Sequence, residues 1–275
     1  MTRTPQAARF LSSFEWTKDR EHFGGYSAIK LSDDGSSFVV MSDRGHLIEG
    51  SIFRHNDTII GVRSKEITKF AFPKELFGKR PKTDTEGIAR DASGRLYVSF
   101  EHENRIARQE HDGTWSLLPT HPEITALPKN KGLEALAIGP DGAVLAIPEV
   151  SDGLLTPFTV YRFREGAGWD TELRISRHPG FLPVGSDFDI YGRLYVLERG
   201  FAGFGFFSQV RRFDMRDAGE ISGEVLLTTR ARVHDNLEGL SVWMTPDKQV
   251  RLTMVSDDNF QRFQRTEIVE YAVGN

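Results

Sequence analysis

TEGIARDASGRLYVSFE (85–101) and LEALAIGPDGAVLAIPE (133–149) share one layout. A glutamate opens an apolar segment, an Asp/Gly turn interrupts it, and a second glutamate closes it 15 residues after the first (101 − 86 = 149 − 134 = 15). YSAIKLSDDGSSFVVMSDRG (26–45) repeats the layout with Ser27 and Ser42 in those places and Asp43 next along. LEGLSVWMTPDKQVRLTMVSDDN (237–259) repeats it with a longer turn. SDFDIYGRLYVLERG (186–200) reads as a shortened member, in which Asp187 and Glu198 lie 11 apart (198 − 187 = 11). The anchors Ser27, Glu86, Glu134, Asp187 and Glu238 therefore step by 59, 48, 53 and 51 residues.

A period of roughly 50 residues, built of short apolar strands and Gly/Asp turns, is the mark of a β-propeller. The second unit divides into four strands near 86–90, 95–100, 104–109 and 114–118, separated by turn residues such as DASG and HDG. RLYVSF is apolar on both faces, as a strand sandwiched between blades must be. TEIVEYAV (266–273) leaves the last unit one strand short, while RFLSSFEW (9–16) precedes the first anchor with no unit of its own. The expectation is an all-β chain, a single β-propeller domain over 1–275. Five four-stranded blades are favoured, with the ring closed by the N-terminal strand. Six blades are allowed if a divergent unit lies in 46–82, which also holds FPKELFGKRPK (72–82), a basic insertion readable as a short helix.

The composition limits the chemistry. Of 275 residues 39% are hydrophobic, ample for a core, and the net charge of 35 − 39 = −4 gives no nucleic-acid footprint. With no cysteine, disulfides, thiolate metal sites and cysteine nucleophiles are excluded. No segment is long and apolar enough for a signal-peptide core or a membrane span, so membrane insertion is not expected. G-x-S-x-G, Walker A and H-E-x-x-H are all missing.

In an antiparallel hairpin the start of the first strand lies beside the end of the second. Glu86 thus pairs with Glu101, Glu134 with Glu149, Asp187 with Glu198, Glu238 with Asp257, and Ser27 with Ser42-Asp43. Rotation about the propeller axis puts all these ends on one face, around the channel mouth. Crowded carboxylates raise one another's pKa or recruit a cation, and oxygen ligands without thiols favour Ca²⁺ or Mg²⁺ over zinc. The candidate ligands are Glu86, Glu101, Glu134, Glu149, Asp187, Glu198, Glu238, Asp257 and Asn259, with Asn130, Asn236 and Asp258 close in sequence. A competing reading makes these acids simple turn acceptors. Arg44, Arg105, Arg199, Arg262 and Arg265 follow the acidic edge in four of the five units, suited to orienting an anion or to neutralising their neighbours. His102 follows Glu101 on the same face and is a candidate acid or base. The Phe-rich loop GFAGFGFFS (200–208) leaves that face too, either to cap an apolar part of a ligand or to plug a gap between blades.

Taken together, GGYSAIKLSDDGSSFVVMSDRG, TDTEGIARDASGRLYVSFEHENRI, NKGLEALAIGPDGAVLAIPE, GRLYVLERGF and DNLEGLSVWMTPDKQVRLTMVSDDNFQRFQRT resemble the phytase-like family described as having esterase-like activity. The resemblance covers essentially the whole chain. It implies a β-propeller related in style to calcium-dependent propeller phytases, hydrolysis of phosphate or carboxylic esters, and export from bacteria, although an uncleaved cytoplasmic protein fits the chain as well. It matches Asp43-Arg44 to an S-D-R-G motif, Glu86 and Glu134 to E-G and E-A, Glu198-Arg199 to L-E-R, and Glu238 with Asp257-Asp258-Asn259 to the last pair. The sequence departs from strict fivefold similarity at Glu134-Ala135 and at SDFDIYG.

The expected activity is thus a metal-dependent hydrolase acting on a small anionic or ester substrate. A divalent cation, Ca²⁺ first, is its cofactor, and Asp43, Arg44, Glu86, Glu134, Arg199 and Glu238 are the candidate catalytic groups. A lactonase-like sugar hydrolase and a non-catalytic propeller with a structural cation are the alternatives.

Overall fold

The computed structural model describes residues 7–70, 84–216, 219–261 and 263–274. Strands alternate with short turns throughout, and the described helix is a single turn at Pro122–Thr125. No described helix is long and apolar enough to cross a membrane. The second unit forms strands Thr85–Arg90, Leu96–Phe100, Arg105–Gln109 and Trp115–Leu117, close to the sequence reading.

The chain is a single β-propeller of six sheets, one more than the repeat favours. Five sheets follow the repeat, each with consecutive antiparallel strands. Their first strands are Tyr26–Leu31, Thr85–Arg90, Leu133–Ile138, Leu182–Phe188 and Asn236–Met244. Each packs on the next and the fifth packs on the first, so these inner strands close a ring. The sixth sheet is small, joining Phe158–Thr159, Arg174–Ile175 and Glu220–Ile221. It does not come from 46–82. Residues 46–55, 58–64 and 68–69 instead complete the first blade, and the basic insertion 72–82 lies outside the described residues.

Hydrophobic burial accounts for this arrangement. Among the described residues the buried apolar side chains gather into five clusters, each between two neighbouring blades. Ser37–Ser42 shows how one strand serves two of them: Phe38 and Val40 face the fifth blade, while Val39 and Met41 face the second. The sixth sheet adds Phe158, Ile175 and Ile221 to the cluster between the third and fourth blades. Its role is to seal that wedge.

The far ends of the hairpins explain the recurring turn aspartates. Asp91 accepts hydrogen bonds from the backbone N–H of Ser93 (2.9 Å) and Arg95 (3.0 Å) and pairs with the Arg95 side chain (2.8 Å). Asp189 does the same with Tyr191, Arg193 and the Arg193 side chain. These acids are turn acceptors, a role the competing reading gave instead to the acids at the other end of the hairpins, and they belong to the face opposite the mouth.

Closure follows the expected route. Ala8–Glu15 pairs antiparallel with Glu267–Val273, from Ala8 opposite Val273 to Glu15 opposite Glu267. The Ser12 hydroxyl accepts the Ile59 N–H (3.1 Å), tying this strand to the first blade. A second tie is ionic. Arg54 of the first blade donates to both oxygens of Glu270 (2.9 and 2.6 Å) and stands over the Trp243 ring. Glu270 is fully buried and also accepts from Thr253 Oγ1 (2.7 Å). Removing the cation alone strands a buried carboxylate, which costs about 3–5 kcal/mol. Arg54→Met is therefore expected to lower stability by about that amount in urea unfolding, and adding Glu270→Gln to recover part of it.

Candidate functional site

Each inner strand carries a β-bulge near its start, and the bulges define the site. The register breaks at Tyr26/Ala28, Thr85/Ile88, Leu133/Ala135, Pro183/Gly185 and Leu237/Gly239. A bulged residue leaves the ladder and its side chain is re-aimed. The residues so placed are Ser27, Glu86, Glu134, Val184 and Glu238. The next residue is always small: Ala28, Gly87, Ala135, Gly185 or Gly239. Crowding at the axis dictates this. A Cβ on Gly185 would lie 2.5 Å from the Glu238 carbonyl oxygen, and one on Gly239 would lie 2.7 Å from the Ile29 nitrogen. The glycine–alanine difference at Ala135 is thus a variation within one steric rule. The free space left between the inner strands is about 10 Å³, room for roughly one water.

A second tier sits one residue beyond the paired end of each hairpin. It comprises Asp43, Glu101, Glu149, Arg199 and Asp257, level with Gly25, Asp84, Gly132, Leu182 and Asn236. The two tiers bring seven carboxylates (Asp43, Glu86, Glu101, Glu134, Glu149, Glu238 and Asp257) together around one guanidinium, Arg199. Arg199 Nη1 pairs with Glu238 Oε1 and donates to Asn236 Oδ1 (3.1 Å), while Nη2 reaches Glu149 Oε1 at 3.4 Å. Asn236 Nδ2 also donates to Glu238 (2.8 Å).

Two expected ligands are elsewhere. Asp187 lies three residues past the bulge, inside the ring. It accepts from Lys30 Nζ (2.6 and 2.7 Å) and from the N–H of Val242 (2.7 Å). Val184 occupies the bulge position in its place, so the fourth unit is not shortened: Val184 and Arg199 keep the separation of 15. Glu198 points away from the mouth because it precedes the second-tier position by one residue, and alternate residues of a strand face opposite sides. It is fully buried, accepting from Arg211 Nε (2.8 Å) and Gln209 Nε2 (2.9 Å).

Asn259 is also corrected. Its side chain is exposed and its backbone N–H holds Asp257 Oδ1 (2.7 Å). Arg44 is exposed at the rim, 3.6 Å over the Phe260 ring. Arg105 pairs with Glu103, Arg265 pairs with Glu267, and Arg262 lies outside the described residues. Asp84 was not singled out from sequence, although it sits two residues before Glu86. It lies 2.6 Å from His102 Nδ1, with Glu101 Oε2 3.9 Å from the same nitrogen. Asp84, Glu101 and His102 offer three ligand atoms within 4.8 Å of one another.

The electrostatics match the crowding. Burial, then Glu134 and Glu238, pushes the Glu86 carboxyl well above the usual range. Burial, then Glu149 and Glu238, does the same to Glu134. Glu238 is raised by burial against the pull of Arg199 and Asn236. Asp43 and Glu101 are raised by burial and by Asp84 nearby. Asp257 is pushed up to about 8, first by burial and then by Glu238. Burial works against the Arg199 charge, but Glu238, Glu134 and Glu149 outweigh it and hold the guanidinium protonated.

A family model for phytase-like proteins, described as "Esterase-like activity of phytase", matches residues 21–260. The chain belongs to the phytase-like family. No curated protein matches it. Among solved structures it is similar to the PQQ-bound aldose sugar dehydrogenase of Streptomyces coelicolor, with a TM-score of 0.52, 11% identity, and 98% and 99% of the two chains covered. A luciferin-regenerating enzyme (TM-score 0.49, 12% identity, coverage 92% and 93%) and the virginiamycin B lyase of Staphylococcus aureus (TM-score 0.45, 10% identity, coverage 96% and 99%) are also similar. At 11% identity the likeness to the aldose sugar dehydrogenase speaks for the fold alone.

A pH dependence follows from the cluster. Below about pH 4 an aspartate is protonated in folded and unfolded chains alike, so Asp257 is then neutral in both. Between about 4 and 8 the unfolded chain releases the proton that folded Asp257 keeps, and stability falls as pH rises. In chelator, the melting temperature is expected to drop across this window, and Asp257→Asn to flatten the slope.

Proposed function

We propose that the protein is a divalent-cation-dependent hydrolase of small phosphate or carboxylic esters, with Ca²⁺ as the preferred ion and the channel mouth as its site. The observation that carries this reading is the two-tier ring itself: seven convergent carboxylates and a single guanidinium. The residues fit a hard cation. Asp43 Oδ1 is buried with no hydrogen-bond partner among the described residues. Glu86 faces chiefly other carboxylates, and Glu134 faces Glu149 and Glu238 with Arg199 as its opposing charge. The donors are carboxylate oxygens, with one imidazole at the edge and no thiol, which suits Ca²⁺ or Mg²⁺ better than a soft metal.

Glu86, Glu134, Asp43, Glu149 and Glu238 would hold the ion, with Asp257 and Glu101 at its margin. When bound, such an ion supplies Lewis acidity toward an ester or phosphoryl oxygen and toward water. Arg199 is fixed by Glu238, Glu149 and Asn236, and so presents its charge in one orientation for the substrate's anionic oxygen. Glu86 and Glu134 lie deepest, and burial raises their proton affinity. Raised proton affinity makes each a stronger base once ionised, and one of the two would take the proton of the attacking water.

Melting curves with chelator and with added Ca²⁺ come first. At a hundredfold excess over its Kd, the ion should stabilise the fold by about 2.7 kcal/mol. Hydrolysis of phosphate monoesters, aryl esters and lactones should then be metal-dependent, and Glu86→Gln or Glu134→Gln should lower kcat by about 10²–10⁴-fold. Ion binding without turnover of any substrate would leave a structural cation and refute the hydrolase. Full activity in both glutamine variants would refute the assigned site.

A further inference from the structure

Beside the acidic mouth, on the same face, lies an open pocket of about 590 Å³. The strand ends and loop of the fourth blade supply Phe201, Phe204 and Phe206, and the loop after Asp257 supplies Phe263. Phe201, Phe204 and Phe263 are 62%, 72% and 80% exposed. Three phenylalanines in water around one cavity are not required by the core, and contiguous exposed apolar surface of this kind marks a binding face. The volume is within the usual 300–1,000 Å³ for small-molecule sites. Arg232 also lines the pocket and pairs with no carboxylate among the described residues. The pocket is continuous with the mouth, because Phe206 at its inner edge stands 5.8 Å below the Arg199 guanidinium that Glu149 and Glu238 hold.

We infer that this pocket seats an aromatic ring of the substrate, with Arg232 accepting a single anionic substituent on it. The substrate class is then an aryl ester or an ester of an aromatic acid, positioned so that its ester group lies over the carboxylate ring. A heavily phosphorylated polyol fits poorly. It would meet seven carboxylates at the mouth and an aromatic wall beside them, where a polyanion calls for clustered cations. Aromatic walls instead match an aryl group in stacked or edge-on contact. Of the charged groups in the lining, Arg265 pairs with Glu267 and Asp235 accepts from Gln264 and the Arg265 N–H, which leaves Arg232 to match one charge. The assignment of the reacting group rests on the hydrolase reading above; the occupancy of the pocket does not.

Calorimetry with 2-naphthalenesulfonate tests the pocket without any chemistry. The wild-type protein is expected to bind it, and Phe204→Ala, Phe263→Ala and Arg232→Gln each to weaken binding by about tenfold. The three side chains are exposed, so folding is not at stake. In parallel, the ratio of kcat/KM for 2-naphthyl acetate over ethyl acetate should fall about tenfold in Phe204→Ala. Absence of naphthalenesulfonate binding, or equal binding by all variants, overturns the pocket assignment. Binding that the variants weaken, together with no ester turnover, upholds the pocket and defeats only the hydrolase.

Discussion

Steric crowding at the propeller axis is the constraint from which the rest of this structure follows. Five inner strands meet so closely that only glycine or alanine stands at the contact, and at Gly185 and Gly239 the neighbouring backbone leaves no room for any Cβ. Each strand meets the constraint in the same way, with a small residue at the contact and a bulge just before it. The bulge frees one side chain from the ladder and directs it to the open end of the channel. Packing of the axis and placement of the mouth glutamates are thus one structural event in the blades of Glu86, Glu134 and Glu238, while Ser27 and Val184 at the equivalent bulges stay buried.

The chain separates two kinds of acid by position along the hairpin. At the turn end, Asp91 and Asp189 are saturated by backbone N–H groups and arginine, and at Asp91 these donors outweigh burial and lower the carboxyl pKa. At the open end, Glu86 and Glu134 meet mostly other carboxylates, which destabilises theirs. The contrast argues against a purely conformational role for the mouth acids. A turn needs acceptors with donors beside them, whereas among the described residues the charges acting on the deepest two are other carboxylates, with Arg199 opposing them at Glu134. Destabilised charge of this kind is characteristic of ligand sites.

Much of this was legible in the sequence, and the failures have two physical causes. The repeat gave the propeller, the strands of the second blade, closure by the N-terminal strand and the convergence of Glu86, Glu101, Glu134, Glu149, Glu238 and Asp257. It misplaced the fourth unit because an acid was sought at every anchor. Asp187 and Glu198 were chosen for their charge, whereas the bulge and the strand parity select Val184 and Arg199. Matching the small residue after each bulge (Ala28, Gly87, Ala135, Gly185, Gly239) would have recovered the correct register. The sixth sheet escaped for a different reason: strands of two residues carry no periodicity. The inversion at Arg199 is the informative error, since the one second-tier position without an acid supplies a guanidinium held by Glu238, Glu149 and Asn236.

The closing strand has a consequence for how the protein is made. Ala8 pairs with Val273, so the fifth blade lacks its outer strand until almost the whole chain is available. During synthesis the first four blades can stack on one another, but the last interface and the ring itself wait for the C-terminal strand. Glu238 and Asp257 belong to that last blade, and Arg199 depends on Glu238 for its orientation. Asp43, Glu86, Glu101, Glu134 and Glu149 lie on the hairpins of the first three blades and can meet as those stack, but the guanidinium among them is oriented only once the fifth blade brings Glu238 into place.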